Sequence, residues 1–233
     1  MIGRRDRVIV GGALSILVSV AWLYTIQASA TMSYMEAEYA FGMWSMMMVA
    51  MMAPSAAPMV FAFSRVSRSR ADAALGVAGA FLLGYLALWT GFSFLAAVAQ
   101  AFLGQARLLS PMGASTSPIL SAAILMAAGF YQFSPWKYAC LSKCRAPLGF
   151  LLTEWREGLT GAFVMGVRHG LFCTGCCWLI MALLFVAGVM NLAWIAVLTV
   201  VVLAEKILPY GRWVSSLAGA AAVVSGGWLL IRG

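Results

Sequence analysis

Apolar stretches long enough to cross a membrane, separated by short polar or charged connections, recur along the whole chain. A hydrocarbon core about 30 Å thick is crossed by about 20 helical residues, and the pattern predicts about seven such spans. They run from Val8 to Gln27, Ala40 to Phe63, Ala73 to Leu103, Ile119 to Phe133, Leu171 to Met190, Leu192 to Leu208 and Trp213 to Ile231. The third is long enough to tilt or to include an interfacial turn, and the fourth is short. Asn191 and its neighbours alone separate the fifth from the sixth, which predicts a tight antiparallel hairpin. Inside lipid every backbone polar group must be satisfied within the segment, so these spans are expected to be helices. The expected fold class is therefore all-α, a polytopic transmembrane helical bundle, with residues 1–233 forming a single integral membrane domain.

Composition supports the same class, because 64% of residues are hydrophobic and only 9% are charged, more apolar surface than a soluble domain buries. Orientation follows from the basic residues, which resist translocation and collect on the cytoplasmic side. Arg4, Arg5 and Arg7 precede the first span, and Arg65, Arg68 and Arg70 follow the second. Lys137, Lys143, Arg145, Arg156 and Arg168 fall between the fourth and fifth, and Lys206 and Arg212 between the sixth and seventh. With seven spans all of these lie on one side, whereas Glu36, Glu38, Arg107 and Arg232 lie on the other. The N-terminus is thus expected in the cytoplasm and the C-terminus outside. The net charge of +8 is explained by topology and calls for no nucleic-acid partner. Ala28-Ser29-Ala30 resembles a signal-peptidase site, but the preceding apolar run is too long for an ordinary signal peptide and reads as an uncleaved anchor.

Against this background the soft-ligand residues stand out. All five cysteines cluster, as Cys140-Leu-Ser-Lys-Cys144 and Cys173-Thr-Gly-Cys176-Cys177, with the single histidine, His169, just before the second group. The first group falls in an expected cytoplasmic segment, residues 134–158, and the second at the inner end of the fifth span. That compartment is reducing, which disfavours structural disulfides and favours metal binding or catalytic thiol chemistry. Cys140 and Cys144 are four residues apart, as are His169, Cys173 and Cys177 in series, so each set shares one face if the backbone is helical. Gly170 and Gly175 are candidate helix breakers. Two such elements face to face would supply the three or four sulfurs of a soft-metal site, with Lys137, Lys143, Arg145 and Arg168 offsetting thiolate charge. A lone cysteine is ordinarily a small apolar packing residue; the grouping beside the histidine argues for a shared role. Adjacent cysteines rarely both bind one ion, so one of Cys176 and Cys177 is expected to pack.

A second grouping places six of the fifteen methionines in ten residues, Met43 to Met52. Met43, Met47 and Met51 repeat at helical spacing, with Met48 and Met52 beside them. Thioethers are neutral soft ligands suited to Cu(I), although a methionine stripe is more often core packing. Pro54 and Pro58 follow, each removing a backbone donor and predicting a kink or unwound turn. Glu205-Lys206 is an ionisable pair near the inner end of the sixth span, explicable by snorkelling and mutual pairing. Trp136, Trp178, Trp194 and Trp213 fit interfacial belts.

The segments MMVAMMAPSAAP (Met47 to Pro58), YQFSPWKYACLSKCRAP (Tyr131 to Pro147) and HGLFCTGCCW (His169 to Trp178), with GVMN ending at Asn191 and the Glu205-Lys206 pair, carry a family resemblance. Together they resemble a bacterial family of predicted metal-binding integral membrane proteins of unassigned function. The resemblance implies a bacterial inner (cytoplasmic) membrane location and a metal site at the matching cysteine and histidine positions.

Chemistry then ranks the ions. Iron–sulfur clusters usually take four well-spaced thiolates, and one histidine excludes a bis-histidine haem. Zinc suits the cysteines and His169 but leaves the methionines without a role. Cu(I) accounts for both groupings. The expected metal residues are Cys140, Cys144, His169, Cys173, Cys176, Cys177, Met43, Met47 and Met51, and the expected function is copper transfer or homeostasis in the lipid bilayer, with a metallochaperone or membrane complex as partner. Two other readings stand beside it: a membrane thiol–disulfide relay, and an accessory or assembly subunit of a larger membrane complex.

Overall fold

The structure, a computed structural model, describes residues 4–31, 37–69 and 74–232. Glu36 and Arg70, used above for orientation, and Ala73, the expected start of the third span, lie outside them. The described residues fold as α1 (Arg4–Thr31), α2 (Ala37–Ser69), α3 (Ala74–Gln105), α4 (Pro118–Gln132), α5 (Pro135–Arg145), α6 (Pro147–Glu154), α7 (Gly158–Ala182), α8 (Leu184–Ala187), α9 (Leu192–Ile207) and α10 (Gly211–Arg232).

Five segments are long and apolar enough to cross a membrane: Val8–Ala30, Tyr39–Val66, Leu75–Gln105, Gly158–Ala187 and Gly211–Arg232. α4 and α5 form a sixth if they are taken as one span bent by 64°. The expected sixth span corresponds to α9, whose 16 residues give a length of about 24 Å, short of a full crossing. The helix expected to begin at Leu171 begins instead at Gly158, so Cys173 lies at the middle of its apolar segment rather than at its end.

The bend between α4 and α5 is written locally. Ser134 caps α5, accepting a hydrogen bond from the Trp136 amide at 3.2 Å, and Pro135 occupies the first helical position, where its missing N–H costs nothing. Ser117 and Pro118 start α4 in the same way. Asn191 caps α9 through the Trp194 amide at 3.1 Å and closes the expected turn after α8. α2 continues through Pro54 and Pro58 without the unwound turn expected there. Side chains reinforce this stretch: Ser55 Oγ donates to the Met52 carbonyl at 2.8 Å and Tyr85 Oη to the same oxygen at 3.1 Å.

Small residues set the closest helix contacts, as expected where lipid supplies no hydrophobic drive for helices to associate. α3 and α7 pack along most of their length. A Cβ at Gly84 would run into the Phe163 carbonyl, and one at Gly166 into the Phe81 carbonyl. α10 lies on α4 through the reciprocal pair Gly129 and Gly219. α2 packs on α3 and α9, α1 on α2, and α5 across α7. The interior is therefore shared by α2, α3, α5, α7 and α9, and the soft-ligand residues converge there.

Candidate metal centre

α7 remains helical through Gly170 and Gly175, so His169, Cys173 and Cys177 share a face, with Cys176 beside it. His169, Cys173, Cys176 and Cys177 are all at most 2% exposed. α5 crosses this face and contributes the other two cysteines. Its approach depends on Gly175, where a Cβ would lie 2.9 Å from Cys140 Sγ. Tyr131 Oη ties α4 to the same turn by donating to the Gly175 carbonyl at 2.5 Å.

The Cys144 thiol lies beside the Cys173 and Cys176 thiols. The Cys177 thiol is a neighbour of the same two. Cys176 and Cys177 also donate to the Cys173 carbonyl, at 3.0 and 2.9 Å. All five cysteines are free thiols. Among the described residues no three His, Cys, Asp or Glu side chains are set around a common point as finished metal ligands. The arrangement is a packed group of soft donors.

Cys173 has the richest surroundings. Its sulfur lies 2.8 Å from Lys206 Nζ and 3.0 Å from Tyr85 Oη. Lys206 also donates to Ser55 Oγ at 3.1 Å, which links α9, α7 and α2. His169 is boxed by the rings of Phe81, Tyr85 and Phe150, at centroid distances of 5.9, 5.7 and 5.4 Å, and its Nδ1 is buried without a hydrogen-bond partner. A buried unpaired imidazole nitrogen is uncommon in a folded protein, and with the neighbouring thiols it makes a donor set that fits a soft cation.

The cations differ from expectation. Glu205 and Lys206 do not pair with each other, because adjacent residues on a helix point in different directions. Glu205 Oε2 instead accepts from Lys137 Nζ at 2.7 Å, both side chains being buried, and Gln132 bridges the two. Lys137 is thus neither an interfacial charge nor available to the thiols. Arg145 donates to the Leu208 and Pro209 carbonyls, Arg168 pairs with Glu154, and Lys143 is exposed. Lys206 takes the role expected of those four.

Met43, Met47 and Met51 are all buried on the inner side of α2. The far end of this run lies by Trp44, whose indole donates to Gln100 Oε1 at 2.6 Å. At the near end the Met52 carbonyl accepts from Tyr85 Oη and the Ser55 hydroxyl accepts from Lys206 Nζ. Sequence reasoning missed Tyr85, Ser55, Gln132 and the buried state of Lys137. The available signal was a lone polar side chain within an apolar run, as at Tyr85.

These features define a class: an all-helical protein with several helices fit to cross a membrane and a buried cluster of soft donors between them. A family model described as PpoB2, copper chaperone, matches residues 41–229, a range that includes every candidate ligand. The chain belongs to this copper chaperone family. No curated protein and no solved structure matches it.

Proposed function

We propose that this chain is a multi-pass protein of the bacterial inner membrane that binds Cu(I) as cargo at the group formed by Cys144, Cys173, Cys176 and Cys177, with His169 and Cys140 beside it. The observation that carries this reading is the gathering of four thiols from α5 and α7 beside an unpartnered imidazole nitrogen, in a member of a copper chaperone family. Donor type favours Cu(I), because thiolate, thioether and imidazole are all soft or borderline ligands; zinc is the second choice and would leave the thioethers idle. Met43, Met47 and Met51 form the route along α2, and the ion passes to the thiols at the Met52–Ser55 turn. Seven crossings result if α4 with α5 counts as one and the short α9 as another, with the N-terminus in the cytoplasm. A partner metallochaperone or membrane complex exchanges the ion by ligand substitution at the more accessible Cys140 and Cys144.

The test is metal content of the full chain, purified without oxygen in a mild detergent and loaded with Cu(I). Wild type should hold copper that Cys173→Ser and Cys144→Ser lose, while Cys140→Ser keeps part of it. Equal copper in wild type and Cys173→Ser removes the reading. Copper-free protein with a trapped disulfide between α5 and α7 favours the thiol–disulfide relay instead.

A further inference from the structure

We infer that Lys206 sets the charge of the ion this site accepts, admitting a monovalent soft cation and rejecting a divalent one. This rests on the reading of the cysteine group as a copper site. Thiols alone do not make that choice, because Zn(II) and Cd(II) bind sulfur as well as Cu(I) and Ag(I) do. A fixed positive charge beside the ligands does make it.

A lysine near the end of a membrane helix ordinarily extends its amine toward water. Lys206 does the opposite: its side chain is buried and its Nζ lies 2.8 Å from Cys173 Sγ and 3.1 Å from Ser55 Oγ. Among the described residues no carboxylate pairs with it, because the adjacent Glu205 is taken by Lys137 and Gln132 in a pair of zero net charge. The ammonium is therefore the cation that stands beside the thiol group.

An ion ligated by Cys173 must come close to this ammonium. Ser55 Oγ, already its second partner, keeps the amine in place when the sulfur is taken by metal. The ion then meets a unit positive charge at about 5 Å, and the repulsion doubles from a monovalent to a divalent cation. At an effective dielectric constant of about 20, the second charge lowers affinity on the order of 100-fold. The same ammonium makes the site easier to empty, since it repels the cargo and returns to Cys173 as the ion leaves.

The experiment compares Ag(I) and Cd(II), two thiophilic probes of different charge, on the purified full-length protein under anaerobic conditions. Wild type should load Ag(I) and take up little Cd(II). Lys206→Gln, neutral and without a soft donor, should bind both and lower the Ag(I)-to-Cd(II) preference by roughly 100-fold, and Lys206→Arg should restore it. A purely structural role for Lys206 would change total loading without changing that ratio. Wild type binding Cd(II) as readily as Ag(I) overturns the inference without any variant, and so does an unchanged ratio in Lys206→Gln. Failure of wild type to bind either Ag(I) or Cu(I) refutes the copper site itself, a different result from binding without discrimination.

Discussion

Replacing Lys137 by methionine tests whether the buried polar triad holds the broken helix against the bundle. The Lys137–Glu205 pair is 2.7 Å long, its side chains are 0% and 1% exposed, and Gln132 donates to Glu205 at 3.1 Å while accepting from Lys137. At an effective dielectric constant of about 20, the gross attraction over this distance is about 6 kcal/mol, much of it offset by the desolvation of both groups. Removing one partner leaves the other buried and uncompensated, a change that typically costs about 3–5 kcal/mol. Lys137→Met should therefore destabilise the protein by that amount. The double variant Lys137→Met with Glu205→Gln, which keeps a hydrogen-bonding group for Gln132, should recover most of it. Unfolding of the purified protein in mixed micelles, followed by far-ultraviolet circular dichroism against denaturing detergent, measures both. A loss below about 1 kcal/mol, the scale of a solvent-exposed ion pair, would refute the reasoning. So would a double variant as unstable as the sum of its single changes.

Other outcomes follow from the same geometry. Gly166→Ala should destabilise the α3–α7 contact by about 1–3 kcal/mol through overpacking, whereas Gly79→Ala, which meets nothing within 4 Å, should be neutral or slightly stabilising in the same unfolding assay. A small maleimide applied to native protein should modify Cys140 first and spare Cys173, Cys176 and Cys177 until denaturation, as read by mass spectrometry, because the latter three are buried and Cys140 is partly exposed. His169→Phe fits the ring box formed by Phe81, Tyr85 and Phe150 and should change stability by less than about 1.5 kcal/mol. Competition with a Cu(I) chelator should nevertheless show copper held at least about tenfold more weakly, a scale typical of groups that support a metal site. Unchanged retention would remove the imidazole from the site.

The all-helical class, with several helices apolar enough to cross a membrane, was legible from hydropathy, and the clustering of soft-donor residues was legible from their spacing. Spacing of four residues placed His169, Cys173 and Cys177 on one face, and α7 keeps them there. The turn at Asn191 was legible because one residue both caps a helix and sits between two apolar runs. The start of α7 was misplaced, because Gly158 to Gly170 includes Arg168, His169 and several glycines and reads as a connection. It becomes helix because Gly161, Gly166 and Gly170 let it pack closely, the last two against α3.

Charge pairing lay further from reach. Of the basic residues near the cysteines in sequence, Arg145, Arg168 and Lys137 are held by other partners and Lys143 is exposed, whereas Lys206, far along the chain, reaches Cys173. The sequence by itself determined that the chain is a set of apolar helices carrying soft donors, because length, hydropathy and helical spacing are properties of consecutive residues. Only the tertiary structure decided which donors meet and which cation stands among them. Those contacts depend on how far helices rotate and how closely glycines let them approach, and they join residues separated by many turns of chain.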